Sequence, residues 1–170
     1  TPFARLVRVE LRKTYDTRAG AWLLGIIAFI VLAAETIFLL ASAHNDEHVE
    51  WGDFTGVAAF ITSIFLPVLG ILVVTSEWSQ RTAMVTFALE PRRSRVVLAK
   101  LVTGFVLTFA TAILATVLGA ALNALSFALQ GEGSWTFGWN FFVGFLLWQS
   151  ITMAGGFALG ALFLSTPAAL

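Results

Sequence analysis

Four long apolar runs, at about 21–43, 54–75, 96–129 and 141–164, constrain this 170-residue chain more than any motif in it. At about 1.5 Å per residue, each is long enough as a helix to cross a hydrocarbon core of about 30 Å. Such a core offers no water to backbone N–H and C=O groups, so a spanning segment must close its own hydrogen bonds, and helices are the only sensible reading. Composition agrees: 58% of residues are hydrophobic, 12% are charged and the mean hydropathy is +0.88, where a soluble domain has about 25% charged residues. We read the chain as an all-α, polytopic integral membrane protein forming a single transmembrane domain over 1–170. It has an amphipathic elbow helix over 1–18, four transmembrane helices and a loop over 76–95 between the second and third.

Charge orients these spans. All ten lysines and arginines lie in 1–18 and 81–100, whereas Asp46, Glu47, Glu50, Asp53 and Glu132 lie in gaps that hold no base. Basic segments are retained on the cytoplasmic side. Residues 1–18 and 76–100 are therefore expected in the cytoplasm and 44–53 and 130–140 outside, in a multi-pass protein of the plasma (inner) membrane with a cytoplasmic N-terminus. Trp22 and Trp78 fall at inner boundaries and Trp51, Trp135 and Trp139 at outer ones, where amphipathic rings favour the headgroup level; Trp148 departs from the pattern. The third run is too long for a straight crossing. Its start is expected to extend into the cytoplasm, with the Lys100 ammonium snorkelling to the headgroups. On a helical wheel Arg5, Arg8 and Arg12 share one face of the N-terminal segment, with Phe3, Leu6, Val7, Leu11 and Thr14 opposite. That pattern suits a helix lying in the inner interface, a solvated cytoplasmic helix being the alternative. The segment does not read as a secretory signal, because the first apolar run exceeds the ~7–15 residues of a signal core, and the first span is expected to stay in the mature protein.

No catalytic machinery is legible, and the chain is not read as an enzyme. Without cysteine there is no disulfide framework, thiol nucleophile or thiolate metal site. Lys13 and Lys100 follow Arg12 and Ala99, so the Gly-Lys-Ser/Thr phosphate cradle is absent and ATP is not hydrolysed by that route. No serine sits in a Gly-x-Ser-x-Gly elbow. His44 and His48, one helical turn apart, could hold a divalent metal with Asp46 or Glu47, but a polar outer loop explains the same spacing and no metal site is assigned. No cofactor of its own and no nucleic-acid partner are expected.

Glu35 is the one carboxyl well inside a run. Burying it ionised in lipid is costly, so it should face a protein interior or aqueous cavity. There it would line a substrate path, select cationic cargo or relay protons, or else make a structural hydrogen bond to a neighbouring helix. In the third run Thr108, Thr111, Ala115, Gly119, Asn123 and Ser126 recur at steps of three or four along one face; in the fourth Gln149, Thr152, Gly156 and Gly160 do the same. Gly156-x-x-x-Gly160 points to close helix packing, while Asn123 and Gln149 join Glu35 as candidates for a polar path. Pro67 should kink the second span and free a carbonyl.

Between the second and third spans, Met84, Phe87 and Ala88 can form the apolar face of a short helix, which Pro91 ends, with Ser94 placed to cap the next. A compact charged helix just below the membrane is well shaped to receive force from a cytoplasmic partner. With the elbow helix, three further features complete a pattern: Glu77-Trp78-x-x-Arg81-Thr82, Pro91-Arg92-Arg93-x-Arg95 with Lys100, and Gly155-Gly156-x-Ala158-Leu159-Gly160 leading to Ser165-Thr166-Pro167-Ala168-Ala169. In these the chain resembles the permease subunits of type-2 ABC exporters, particularly actinobacterial members.

The resemblance implies that Glu77, Arg81, Thr82, Phe87, Pro91, Arg92, Arg93 and Arg95 belong to a coupling element docking on a separate cytoplasmic ATP-binding subunit. Glu77, Arg81 and Arg92 would be its charged contacts and Phe87 its apolar anchor. Arg81 stands where many relatives have glycine, and the positive-inside rule alone would also make this loop basic. ATP would be bound by the partner, and a second permease subunit, identical or different, would complete a dimer embedded in membrane lipids. Six spans per subunit are implied where four are read, so either the chain is an incomplete copy of the permease, which is the expectation favoured, or the six-span inference does not hold for it. Two other classes stay open: an ion- or proton-coupled transporter using Glu35, and a non-transporting membrane scaffold or sensor.

Overall fold

The computed structural model describes residues 2–45, 47–79, 92–131 and 134–169. Among them the secondary structure is helical apart from one isolated bridge, Glu50 to Ser134: α1 Phe3–Asp16, α2 Arg18–His44, α3 Trp51–Ser79, α4 Arg93–Gln130, α5 Trp139–Phe163 and α6 Thr166–Ala169. Helices α2 to α5 are each long and apolar enough to cross a membrane. The chain is an all-α polytopic membrane protein.

Each long helix starts two or three residues before the apolar segment that announces it. α2 starts at Arg18, α3 at Trp51 and α5 at Trp139, because polar residues continue the hydrogen-bond ladder past the lipid-compatible stretch. Asp53 accepts from the backbone N–H of Glu50 at 2.9 Å, the reciprocal half of a capping box that starts α3. α4 starts at Arg93 with Arg92 as its N-cap and no side-chain capping bond. The cap expected at Ser94 is therefore displaced into the helix itself. α4 stops at Gly131, whose φ of 72° ends the helix in the left-handed conformation and whose N–H bonds Phe127 O at 3.0 Å. Between α1 and α2, Thr17 caps the new helix by accepting from Gly20 N, and a Cβ at Gly20 would lie 1.8 Å from Thr14 O. Only glycine lets α1 fold back so sharply.

α3 is central, packing against α2, α4 and α5, while α1 lies across α2 and α4. Its contact with α5 is the most intimate. A Cβ on Gly156 would sit 2.1 Å from Pro67 O, one on Gly70 would sit 2.4 Å from Met153 O, and one on Gly160 would sit 3.1 Å from Ile71 O. Backbone thus meets backbone, which gains dispersion contacts that larger residues would forbid. α3 runs through Pro67 without interruption. At the same end, the chain turns back after α5 through α6, where the hydroxyls of Thr75 and Thr166 meet at 2.7 Å.

The bundle is polar within and apolar without. Thr108, Thr111, Ala115, Gly119, Asn123 and Ser126 of α4 are all buried, as are Thr62 and Thr75 of α3, and the hydroxyls of Thr62, Thr75, Thr108 and Thr111 each donate to a carbonyl one turn back. Outside, Trp22, Phe29, Ile37, Phe60, Ile151 and Leu162 are among many large apolar side chains left exposed. Water would not tolerate such a surface, and lipid requires it.

Gly156→Val should lower the unfolding midpoint in detergent by roughly 1–3 kcal/mol of stability through overpacking against Pro67. Gly155→Val, whose added Cβ meets nothing within 4 Å, should leave the midpoint nearly unchanged. Equal losses at the two positions would refute the backbone contact as the cause.

Candidate functional site

Two regions hold the candidate residues: the end of the bundle where α1 packs, and the polar interior between the long helices. At the first, α1 turns Arg5, Arg8 and Arg12 outward and directs its other face at the bundle. In the middle of that buried face sits Glu10, with 3% of its surface exposed. Its Oε2 accepts from Lys100 Nζ of α4 at 2.6 Å and its Oε1 from Lys13 Nζ at 2.8 Å, while Lys100 also donates to Val73 O of α3 at 3.3 Å. Lys100 therefore does not snorkel to the headgroups as its sequence position suggests. It is 5% exposed and points into the bundle, because Glu10 supplies the counter-charge that makes its burial tolerable. One carboxylate and one ammonium thereby join α1, α3 and α4.

Glu10 escaped the sequence reading, although its signal was present: it falls on the line of Phe3, Leu6, Val7 and Thr14, a charge within the apolar face. Of the residues the resemblance singles out for coupling, Arg92 and Arg93 are exposed at the start of α4 and Arg95 is half-buried. Glu77 lies in the last turn of α3, its side chain outside the described residues. Arg81, Thr82, Phe87 and Pro91, with the short helix expected around Met84 to Ala88, also lie outside them.

In the interior, Gln149 of α5 is fully buried and donates to Ala59 O at 3.0 Å and Thr62 Oγ1 at 2.5 Å, both on α3. This is an interhelical clasp. Asn123 of α4 donates to Ser134 O at 3.3 Å, the carbonyl that also receives Trp51 N at 3.2 Å. It anchors the segment between α4 and α5 to the start of α3. Around that anchor Trp51, Trp135, Phe137, Trp139 and Phe142 form a chain of ring contacts, and Trp51 Nε1 reaches Thr116 O at 3.1 Å.

Glu35 makes no such bond. It is fully buried, with Oε1 3.6 Å from where a Gly119 Cβ would lie and Phe54 closing the same spot, and neither oxygen has a hydrogen-bond partner among the described residues. Asn123 is one turn from Gly119 on the same face of α4, and its Oδ1 is likewise unpartnered. Asn123 therefore lies one turn along α4 from the point where Glu35 meets Gly119, whereas Gln149 faces α3 from α5. His44 and His48 are exposed, and no three metal-ligating side chains gather among the described residues.

Comparison of the chain with protein families, with curated proteins and with solved structures finds no match in any of the three.

Breaking the α1 clamp should be severe. Lys100→Met leaves Glu10 with only Lys13 and should cost about 3–5 kcal/mol, whereas the double replacement Glu10→Leu with Lys100→Met should recover most of it; detergent unfolding of the three proteins checks this. Gln149→Leu should cost only about 0.5–1 kcal/mol in the same assay, since Thr62 still donates to Ala58 O.

Proposed function

We propose that this chain is the membrane-spanning permease subunit of an ATP-driven exporter of the type-2 ABC class, in which alternating access is powered by a separate cytoplasmic ATPase. The observation that carries this reading is the Glu10–Lys100 clamp. A force delivered to the segment between α3 and α4 enters α4 at Arg93, and two turns later α4 is bonded to α1 and α3 through Lys100. A push on the loop would therefore move the amphipathic helix and two spans together. The polar interior and apolar exterior support a transport role over a scaffold, which has less need of buried polar faces.

In this reading the basic end is cytoplasmic, the protein resides in the plasma (inner) membrane, and a second permease subunit completes the pathway. Glu77, Arg81 and Arg92 contact the ATPase, with Thr82, Phe87, Pro91, Arg93 and Arg95 shaping the docking element. A second reading, an ion- or proton-coupled transporter, draws on the unpartnered burial of Glu35; it requires transport driven by a pH gradient in ATP-free liposomes and lost in Glu35→Gln.

Co-purification with an ATPase subunit encoded beside this chain is the direct test. Charge reversal of Glu77 and Arg81 together should abolish both assembly and ATP-driven transport. Intact assembly and transport in that variant would defeat the permease reading.

A further inference from the structure

An apolar groove of about 220 Å³ runs between α2 and α4. Ile27 and Val31 of α2 form one wall, Leu107, Ala115 and Leu118 of α4 the other, and Thr62 of α3 lies at its base. Ala110 and Leu114 on its rim are exposed. The hydroxyls of Thr62 and Thr111 donate to carbonyls of their own helices, so the groove itself presents little but hydrocarbon.

The groove's lining stops at Val31 on α2 and Leu118 on α4, a turn or less short of Glu35 and Gly119. Val31 is one turn from Glu35 and Ala115 one turn from Gly119, so the stripes lining the groove on α2 and α4 run on to the unpartnered carboxyl and, a turn beyond Gly119, to the unpartnered Asn123 Oδ1. A hydrocarbon slot is thus continued by two fully buried acceptors that lack donors. Acceptors left so are costly, and a ligand bringing N–H donors and positive charge relieves that cost. We propose that this groove, with Glu35 and Asn123, forms a binding site for a hydrophobic primary amine, with the apolar body between α2 and α4 and the ammonium donating to Glu35 and to Asn123 Oδ1.

A phospholipid bearing the same ammonium fits poorly. Glu35 lies about 14 Å from the end of α2, and the chain has no Lys or Arg over 19–80 or 101–170 to meet a phosphate carried to that depth. The ligand is a free amine. It would be cargo under the permease reading, on which that role rests, but its binding needs neither ATP nor a partner subunit.

The test is equilibrium binding of monodansylcadaverine, a dansyl group joined by a short alkyl chain to a primary amine, to the purified chain in phosphatidylcholine nanodiscs. Its N-acetylated form is the uncharged control. The amine should bind at least about tenfold more tightly than the control, the margin of a buried charge-assisted bond. Glu35→Gln should erase that preference while leaving the control's affinity unchanged, and Ala110→Phe, at the exposed rim, should weaken both probes. Phosphatidylethanolamine nanodiscs should give the same amine affinity. Equal binding of the two probes to the unmodified chain, a preference that survives Glu35→Gln, or displacement by phosphatidylethanolamine would each overturn the proposal. The first comparison needs no variant, so a poorly folding mutant does not remove the test. Binding without ATP-driven export would count against the permease reading alone.

Discussion

In lipid an apolar side chain gains little by leaving solvent, so helices associate through close packing and buried polar bonds rather than by hiding hydrocarbon. The contact of α3 with α5 shows what that constraint demands. Gly70 and Gly156 admit the opposing backbone where a single added methyl would overlap Met153 O or Pro67 O. Held this close, α5 can place Gln149 over Ala59 and Thr62 to form its clasp. The central position of α3, and with it the arrangement of α2 and α4 on its other sides, depends on this approach.

The same constraint explains the different uses of the buried charges and amides. Glu10 and Lys100 come from segments far apart in sequence and neutralise each other at one end of the bundle, each oxygen of the carboxylate meeting an ammonium. Such a pair is not a cheap source of stability, because two ions have been desolvated to make it. Its value lies in specificity: Glu10 cannot be buried unless α1 sits where Lys100 can reach it. This fixes an amphipathic helix that would otherwise be held only by a shallow apolar face.

The spans and their number were legible because length and hydropathy alone decide whether a helix fits a bilayer, and the buried α4 face was legible because Thr108 to Ser126 recur at helical spacing. Gly156 and Gly160 could be named from spacing, but Gly70 and Pro67 as their partners could not, since the register of α3 on α5 is a tertiary property. Lys100 was misplaced for a related reason. Its own neighbourhood favours snorkelling, and only a partner 90 residues away, on another helix, reverses that preference. Helix ends differed by four residues or fewer because hydropathy marks the lipid-compatible stretch, not the limits of the hydrogen-bond ladder.

Glu35 and Gln149 are both fully buried, yet they differ in what faces them. Gln149 meets α3 where a carbonyl and a hydroxyl stand ready, so its Nε2 is spent on structure, while its Oε1 has no partner among the described residues. Glu35 meets Gly119 of α4, which has no side chain to offer, next to Phe54 of α3, which has only a ring. Replacing Gly119 by any other residue would bring a Cβ to 2.9 Å from that of Phe54, so the space beside the carboxyl cannot be filled from α4. A structural carboxyl would be expected to face a donor, as Glu10 does. One set against glycine and phenylalanine, with a second orphan acceptor one turn further along α4 and in line with an apolar groove, has the surroundings of a site built to receive its donor from outside the chain.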